Sequence, residues 1–213
     1  MGTESGISTN GKIEHAVLIG LGEKGSDEQL MTDHLDELAF LAETANIHTV
    51  KRFTQRLPHP DPKTFIGSGK LEEVKEFVTE QKSDIVIFDD DLTPSQLRNL
   101  ERILKVKIYD RSLLILDIFL NRARTAQAKT QVELARYQYL MPRLTRMWTH
   151  LERQRGGTGT RGGAGEKEIE TDRRIIRNQI TVLRKKLDKM EQQDEIRRKS
   201  RKQVVRVALV GYT

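Results

Sequence analysis

A segment rich in arginine and glycine carries the residues best suited to bind a polyanion. Its arginines are Arg143, Arg146, Arg153, Arg155 and Arg161. Glu152 is the single acid between the first and the last of them, and Trp148 lies in the same segment. Guanidinium groups form forked hydrogen bonds to phosphates, and both arginine and tryptophan stack on unpaired bases. These side chains predict RNA binding, and the alternative is a linker with Trp148 buried between helices.

Glycines follow this group within residues 156–165. We expect Gly156, Gly157, Gly159 and Gly162 to lie against RNA, because a backbone without Cβ atoms can approach a crowded surface. A tip that becomes ordered only on binding RNA would satisfy both interpretations.

A second glycine-containing turn, made of Gly67, Ser68, Gly69 and Lys70, precedes a predicted helix. Free N–H groups and the helix dipole at such a position suit a phosphate, which makes the turn a candidate nucleotide site. The turn matches neither the GxxxxGK[ST] loop nor a GxGxxG fingerprint directly after a strand. A plain turn into the helix is therefore the favoured interpretation.

Three consecutive carboxylates, Asp89, Asp90 and Asp91, lie at the end of a predicted strand. Such an edge resembles a magnesium site, but Asp91 also falls just before a capped helix. We expect solvated carboxylates here, and no metal site in this chain.

Residues 204–211 (VVRVALVG) form a strongly β-branched run that is followed by Tyr212 and Thr213. A buried strand at this place suggests the first strand of another α/β domain, whose phosphate loop would begin at Gly211, Tyr212 and Thr213. The lysine and the magnesium-binding hydroxyl of such a loop do not follow. We therefore expect this chain by itself not to hydrolyse GTP.

Charge is distributed unevenly along the 213 residues. Residues 1–110 carry 13 Lys/Arg and 20 Asp/Glu, a net charge of −7, whereas residues 111–213 carry 24 and 11, a net charge of +13. The second half therefore favours a polyanionic partner, although a solvated helical face would have the same composition. Cysteine is absent, which excludes disulfides and thiolate metal sites. No apolar run approaches the roughly 20 residues that span a bilayer, so we expect a cytoplasmic protein without a membrane span.

The elements that position these residues change in type near residue 110. Short β-branched runs predict strands at 16–20, 50–57, 84–90 and 106–110, and helical patterns alternate with them. The helices are expected to begin at Ser26, with Gln29 completing a capping box, after Gly69, and at Thr93, with Pro94 and Gln96 completing a second box. Alternating strands and helices predict an α/β fold with a small parallel sheet.

Two long helical stretches, about 112–150 and 166–200, follow the α/β region and flank the glycine run. Apolar residues recur in the second stretch with coiled-coil spacing, at Ile169, Ile176, Ile180, Leu183, Leu187 and Met190. The opposing face is expected from Leu114, Ile118, Ala128, Val132, Ala135 and Tyr139. Pro142 should end or kink the first stretch. The pattern predicts an antiparallel helical hairpin with a glycine-rich tip.

Several segments together resemble the HflX family of ribosome-associated GTPases, from about Ala16 onward. The most specific are residues 156–162 (GGTGTRG) and 168–174 (EIETDRR). The others are residues 65–73 (FIGSGKLEE), 88–96 (FDDDLTPSQ), 110–111 (DR) and 128–135 (AKTQVELA). One departure is Gly163-Ala164, where relatives usually carry a single proline.

The resemblance implies an architecture and a partner. It implies a disordered tail at 1–15, an α/β subdomain at 16–111, a helical hairpin at 112–200 with its loop at 156–165, and the start of a Ras-like GTP-binding domain at 204–213. Family members bind rRNA of the large ribosomal subunit, with the hairpin tip near the peptidyl-transferase centre, and split stalled ribosomes under stress. Arg173 and Arg174 join the expected rRNA contacts. GTP and Mg²⁺ are expected ligands of the full-length parent, and the chain is expected to be a monomer.

Two other functions stay open at this point. Some relatives are reported to bind ATP through the N-terminal region, so the Gly67–Lys70 turn could belong to a nucleotide-binding or nucleotide-hydrolysing α/β domain. A coiled-coil scaffold with incidental positive charge is the third hypothesis.

Overall fold

Four parallel strands form one sheet in the order β2-β1-β3-β4. The computed structural model describes residues 13–22, 28–143 and 165–199, with the backbone alone for residues 165–172. The strands are β1 (Glu14–Gly22), β2 (Ile47–Arg56), β3 (Ile85–Phe88) and β4 (Lys107–Asp110). The predicted α/β class and small parallel sheet are confirmed.

Burial along the strands follows from their positions in the sheet. The central strand β3 is buried at all four residues, and seven of the nine residues of β1 are buried. Such continuous apolar runs are typical of parallel strands that are covered on both faces. The edge strands β2 and β4 instead carry exposed residues among buried ones.

Four helices cover the two faces of the sheet. They are α1 (Glu28–Thr44), α2 (Ser68–Glu80), α3 (Pro94–Leu104) and α4 (Arg111–Arg122). Val17, Ile19, Val86 and Phe88 pack with α2 and α3 on one face. Ala16, Leu18, Ile85 and Ile87 pack with α1 and α4 on the other. The alternation of strand side chains between faces thus produces two apolar cores separated by the sheet.

Local start signals behave as the sequence predicted where the structure describes them. Thr93 accepts a hydrogen bond from the Gln96 backbone N–H, the Gln96 side chain accepts one from the Thr93 N–H, and Pro94 occupies the first turn. The predicted box at α3 is therefore confirmed. The box expected at Ser26 lies outside the described residues.

The first long helical stretch is broken rather than continuous, which corrects the prediction for residues 112–150. α4 ends at Arg122, and α5 (Ala126–Leu140) begins after Thr125, whose hydroxyl accepts a hydrogen bond from the Ala128 N–H. A 3₁₀ turn, Met141–Arg143, follows α5 and contains Pro142, so the predicted end of the helix at this proline is confirmed. The final described helix is α6 (Gly165–Lys199).

α5 packs against α6 through a separate apolar cluster. Ile176, Ile180 and Leu183 are buried as predicted. The described partners of Ile176 and Ile180 are Leu134, Tyr137 and Met141, which lie one or two positions away from the predicted Val132, Ala135 and Tyr139. The placement of Leu114 and Ile118 opposite α6 was wrong, because both pack on the sheet with α1. Because of the break before Thr125, α4 packs on the sheet and α5 packs against α6.

Burial decreases toward the end of α6. Leu187 and Met190 of this helix are half-buried, whereas Ile176, Ile180 and Leu183 are buried. The Ile169 side chain, the tip at 156–164 and residues 204–213 lie outside the described part. Within the part of the chain that the structure describes, no helix is long and apolar enough to cross a membrane.

The buried seam of α6 predicts a large packing effect. Leu183 is only 6% exposed, so Leu183→Ala should lower the free energy of unfolding by about 2–5 kcal/mol through lost apolar contact and a residual cavity. Val182→Ala is the matched control, because Val182 is 59% exposed on the same helix. Urea denaturation gives both values, and equal effects of the two changes would contradict the observed seam.

Glu101 of α3 should make stability depend on pH. Burial raises the pKa of its carboxyl from the ordinary value of 4.5 to about 7. The folded protein therefore retains a proton that the unfolded chain releases, and the free energy of unfolding falls as pH rises from about 4.5 to about 7. We expect Glu101→Gln to remove this fall and to stabilise the protein by about 2 kcal/mol at pH 8, after allowance for partial exposure. Glu76→Gln, which removes an exposed carboxylate of α2, is the control in urea melts at several pH values. A pH profile unaltered by Glu101→Gln would contradict the assignment.

Candidate functional site

The carboxyl end of β3 is followed by the acidic run identified in the sequence. Asp89 directly follows β3, and its Oδ1 accepts hydrogen bonds from Arg111 Nη2 at 2.7 Å and Arg111 Nε at 3.1 Å. Arg111 Nη1 also donates to Glu37 Oε2 at 3.1 Å, and His34 Nδ1 lies 3.8 Å from Asp89 Oδ2. The expectation of a solvated carboxylate was wrong for Asp89, because the arginine that begins α4 neutralises it.

The other two members of the acidic run are exposed. Partial desolvation by the surrounding chain is the main cause that raises the pKa of the Asp90 carboxyl, and the neighbouring charge of Asp89 adds to it. Among the described residues no group of three or more His, Asp or Glu side chains could hold a metal ion. At this edge of the sheet Asp89 and Glu37 form an ion-pair network with Arg111.

The Gly67–Lys70 turn opens α2, as the sequence indicated. The Gly67 N–H donates to Gln55 Oε1 at 2.8 Å, and Lys70 Nζ donates to Glu73 Oε2 at 2.6 Å. The Lys70 amine also lies 5.9 Å from the centre of the Phe53 ring. Two of the groups that would hold a phosphate thus already have protein partners. This arrangement favours the interpretation as a helix-opening turn.

Asp110 accepts hydrogen bonds from three segments of the chain and forms a longer ion pair with a fourth. Its Oδ1 accepts from the Leu113 N–H at 3.0 Å as the cap of α4, and its Oδ2 accepts from the Leu92 N–H at 3.3 Å. The Tyr139 hydroxyl of α5 donates to the same Oδ2, and Arg143 Nη2 lies 3.8 Å from it. Asp110 is 2% exposed, so these contacts replace water around a buried carboxylate.

Arg143 completes this network from the 3₁₀ turn. Its guanidinium stacks 3.6 Å above the Tyr139 ring, and it donates to the Leu92 and Tyr139 carbonyl oxygens at 3.0 Å each. The side chain is 13% exposed. Arg143 therefore joins the sheet edge to the end of α5, in contrast to the exposed arginines of α6.

A second buried carboxylate, Asp117, lies about two helical turns further along α4. Asp117 is fully buried; it forms a 2.9 Å ion pair with Arg136 of α5 and accepts a 2.9 Å hydrogen bond from the Tyr109 hydroxyl. Burial raises the pKa of Asp117, while the Arg136 charge acts in the opposite direction. Burial, followed by the Asp117 charge, raises the pKa of Tyr109. Asp117, Tyr109 and Arg136 thus form a network parallel to that of Asp110, Tyr139 and Arg143.

The surface of α6 is strongly basic. Ten Lys/Arg residues between 173 and 199 are exposed, against four acids. The basic residues are Arg173, Arg174, Arg177, Arg184, Lys185, Lys186, Lys189, Arg197, Arg198 and Lys199. The acids are Asp188, Glu191, Asp194 and Glu195, of which Asp194 lies 3.7 Å from Arg197. The helix therefore presents a net positive surface away from the seam.

The structure describes only part of the predicted RNA-binding set. Arg173 and Arg174 are exposed on α6, and Arg143 belongs to the Asp110 network. Arg146, Trp148, Arg153, Arg155 and Arg161 lie outside the described residues, as do the predicted glycines and Gly211, Tyr212 and Thr213. No sequence pattern pointed to Asp117, Tyr109 and Arg136, because a buried polar network of residues far apart in sequence leaves no periodic signal.

Two family models match consecutive parts of the chain. The GTP-binding GTPase N-terminal family matches residues 32–120, and the GTP-binding GTPase middle-region family matches residues 122–201. GTPase HflX of Flavobacterium psychrophilum is 51% identical over 200 residues, which cover 94% of this chain and 48% of the relative. GTPase HflX of Escherichia coli is 46% identical over 183 residues, covering 85% and 43%. The chain belongs to the HflX GTPase family.

Solved structures share the fold of this HflX-family chain. The GDP complex of SsGBP gives a TM-score of 0.63 at 24% identity, covering 85% of this chain and 45% of that one. A GTP-binding protein from the archaeon Sulfolobus solfataricus, in complex with GDP, gives 0.58 at 23%, covering 84% and 46%. The chain spans about half the length of the HflX relatives it matches.

The two glycines of the α2 turn should respond oppositely to alanine. A Cβ at Gly67 would lie 2.9 Å from Gln55 Nε2, so Gly67→Ala should displace this flexible side chain and its hydrogen bond, costing about 1 kcal/mol. A Cβ at Gly69 would meet no atom within 4 Å, and alanine should stabilise the helix by about 0.5–1 kcal/mol. Urea midpoints measure both changes. A Gly67→Ala variant with the urea midpoint of the parent chain would show that the contact with Gln55 does not contribute to stability.

Proposed function

We propose that this chain is the ribosome-binding part of an HflX-type GTPase and that its basic helical region binds rRNA of the large subunit. The observation that carries the proposal is the exposed basic surface of α6 in a chain of this family. Phosphate neutralisation by Lys and Arg supplies a large share of affinity for nucleic acid. A cytoplasmic monomer fits this function.

One side of α6 offers a regular set of phosphate-binding groups. Arg173, Arg177 and Arg184 are separated by four and seven residues, so they lie on the same side of the helix. All three are exposed, while Ile176, Ile180 and Leu183 turn toward α5. With a rise of about 1.5 Å per residue the set extends over roughly 17 Å, long enough to contact several phosphates of one strand.

The segment between α5 and α6 supplies the second part of the proposal. Arg146, Arg153, Arg155 and Arg161 would contact phosphates, Trp148 would stack on an unpaired base, and Gly156, Gly157, Gly159 and Gly162 would allow close approach. This tip would lie near the peptidyl-transferase centre, as in the family that the sequence resembles. Binding there would support the splitting of stalled ribosomes during stress.

Nucleotide chemistry belongs to the full-length parent in this proposal. Gly211, Tyr212 and Thr213 would begin a phosphate loop for GTP, with Mg²⁺ bound by residues that follow it. The solved neighbours are GDP complexes, which fits a guanine nucleotide. Nucleotide binding at Gly67–Lys70 is the less favoured alternative, because Gln55 and Glu73 already occupy two of its donors.

Co-sedimentation with purified large ribosomal subunits at several salt concentrations tests the proposal. Replacing Arg173, Arg177 and Arg184 with glutamine should flatten the slope of log affinity against log salt by about 2–3 units. Each phosphate that is no longer neutralised by an arginine keeps its counterions, so fewer counterions are released on binding. Replacing Arg153, Arg155 and Arg161 should act similarly. Trp148→Ala should weaken binding and leave the slope nearly intact, because stacking carries little salt dependence.

The matched control removes equal charge from the α/β part. Lys51, Arg98 and Arg102 are exposed on β2 and α3, and their replacement with glutamine should leave the slope close to that of the parent chain. If the α6 and tip variants also bind with unaltered affinity and slope, rRNA binding by the helical region is refuted.

A further inference from the structure

Apolar packing of α5 and α6 is separate from the two cores of the sheet. Within the described part of the chain, buried apolar residues form three clusters, and the cluster around Ile176 and Ile180 shares no member with the sheet clusters. Leu113, Leu140 and Leu183 are buried outside all three. We call the pair α5–α6 the arm and the sheet with α1–α4 the α/β unit. Among the described residues, no apolar cluster contains members of both.

The two sides of α5 differ in chemistry. Leu134, Tyr137 and Met141 contact α6. Arg136, Tyr139 and Arg143 are bound by Asp117 and Asp110 of the α/β unit. A helix turns by about 100° per residue, so these two sets of residues lie on nearly opposite sides of α5. α5 is thus held by apolar contacts to α6 and by polar networks to the α/β unit.

We propose that the two Asp–Tyr–Arg networks are the device that fixes the angle between the arm and the α/β unit. Each network contains a buried aspartate from the α4 side, a tyrosine hydroxyl and an arginine: Asp110 with Tyr139 and Arg143, and Asp117 with Tyr109 and Arg136. They anchor the arm at two places, at Arg136 within α5 and at Tyr139–Arg143 near its end. Two separated anchors resist rotation that one anchor would permit.

Directional bonds explain why this junction is polar. Hydrogen bonds weaken steeply when their angles change and ion pairs weaken when their charges separate, whereas apolar surfaces can slide with little loss. The aspartates are also buried, so a displaced arm would leave them without partners in a medium of low polarity. The networks therefore favour one orientation over its neighbours, and Tyr139, Arg136 and Arg143 are positioning residues.

Orientation matters because the arm is long. α5 contacts α6 near Ile176 and Ile180, so about 28 Å of α6 lies between Ile180 and Lys199, and a tilt of about 10° at the junction moves Lys199 by roughly 5 Å. Such a shift is larger than the range of a hydrogen bond between a guanidinium group and a phosphate. The consequence for ribosome binding rests on the proposed function, but the effect on the free protein does not.

Distances between spin labels test the inference directly. The chain contains no cysteine, so two introduced cysteines label unique sites. One pair, at Glu76 of α2 and Lys189 of α6, reports the angle between the α/β unit and the arm; a second pair, at Gln131 of α5 and Lys185 of α6, reports the arm alone, and all four sites are exposed. We expect one narrow distance for each pair in the parent chain.

Breaking one member of each network should loosen only the junction. In the variant Arg136→Gln with Tyr139→Phe, the Glu76–Lys189 distances should broaden and the Gln131–Lys185 distance should stay narrow. Tyr139→Phe alone, which removes a single hydroxyl, should give a smaller broadening and provides the test if the double variant does not fold. Arg98→Gln, on the exposed surface of α3, is the control that should change neither distribution.

Ribosome binding separates this inference from the proposed function. If about a tenth of the double variant holds the competent orientation, its affinity for large subunits should fall about tenfold with the salt slope retained, because the contacts themselves are intact. Unbroadened Glu76–Lys189 distances in folded variants overturn the inference, whatever the ribosome assay gives. Broadened distances in a chain that does not bind large subunits support the inference and refute the proposed function.

Discussion

The arrangement of this chain depends on the hydrogen bonds that the buried carboxylate of Asp110 accepts. It ends β4, caps α4 through the Leu113 N–H, fixes the segment after β3 through the Leu92 N–H, and receives the Tyr139 hydroxyl from α5. Each bond offsets part of the desolvation of an ionised group. Replacing any one partner would leave the carboxylate short of donors, so the four elements are constrained together.

The same carboxylate alters the chemistry of its neighbours. Burial, followed by the hydrogen bond to Asp110, raises the pKa of Tyr139, which keeps its hydroxyl protonated as a donor. Arg143 stacks on that ring and extends the network to the Leu92 carbonyl. A residue that composition alone groups with RNA-binding arginines thus acts as a joint between sheet and helix. The arginines of α6, by contrast, remain exposed and available to a polyanion.

These two classes of arginine divide the work of the helical region. Buried arginines at 136 and 143 meet carboxylates of the α/β unit, and exposed ones on α6 face solvent on the side away from the apolar seam. The α/β unit therefore anchors the arm, and in the proposed function the exposed charge of the arm binds rRNA. This division explains why net positive charge is concentrated after residue 110 while the sheet region is acidic.

The sequence by itself determined the features that depend on near neighbours along the chain. Alternating β-branched runs and capped helices predicted the parallel sheet, the Thr93 box and the end of α5 at Pro142, because propensity, capping and proline geometry act over a few residues. Periodicity also found Ile176, Ile180 and Leu183. It failed between Arg122 and Ala126, where a hydroxyl cap divides one apparent helix, and it assigned Leu114 and Ile118 to the wrong partner. Only the tertiary structure decided which arginines are buried and which carboxylates they meet, since Asp117 with Arg136 and Asp110 with Arg143 are pairings across space that no local spacing encodes.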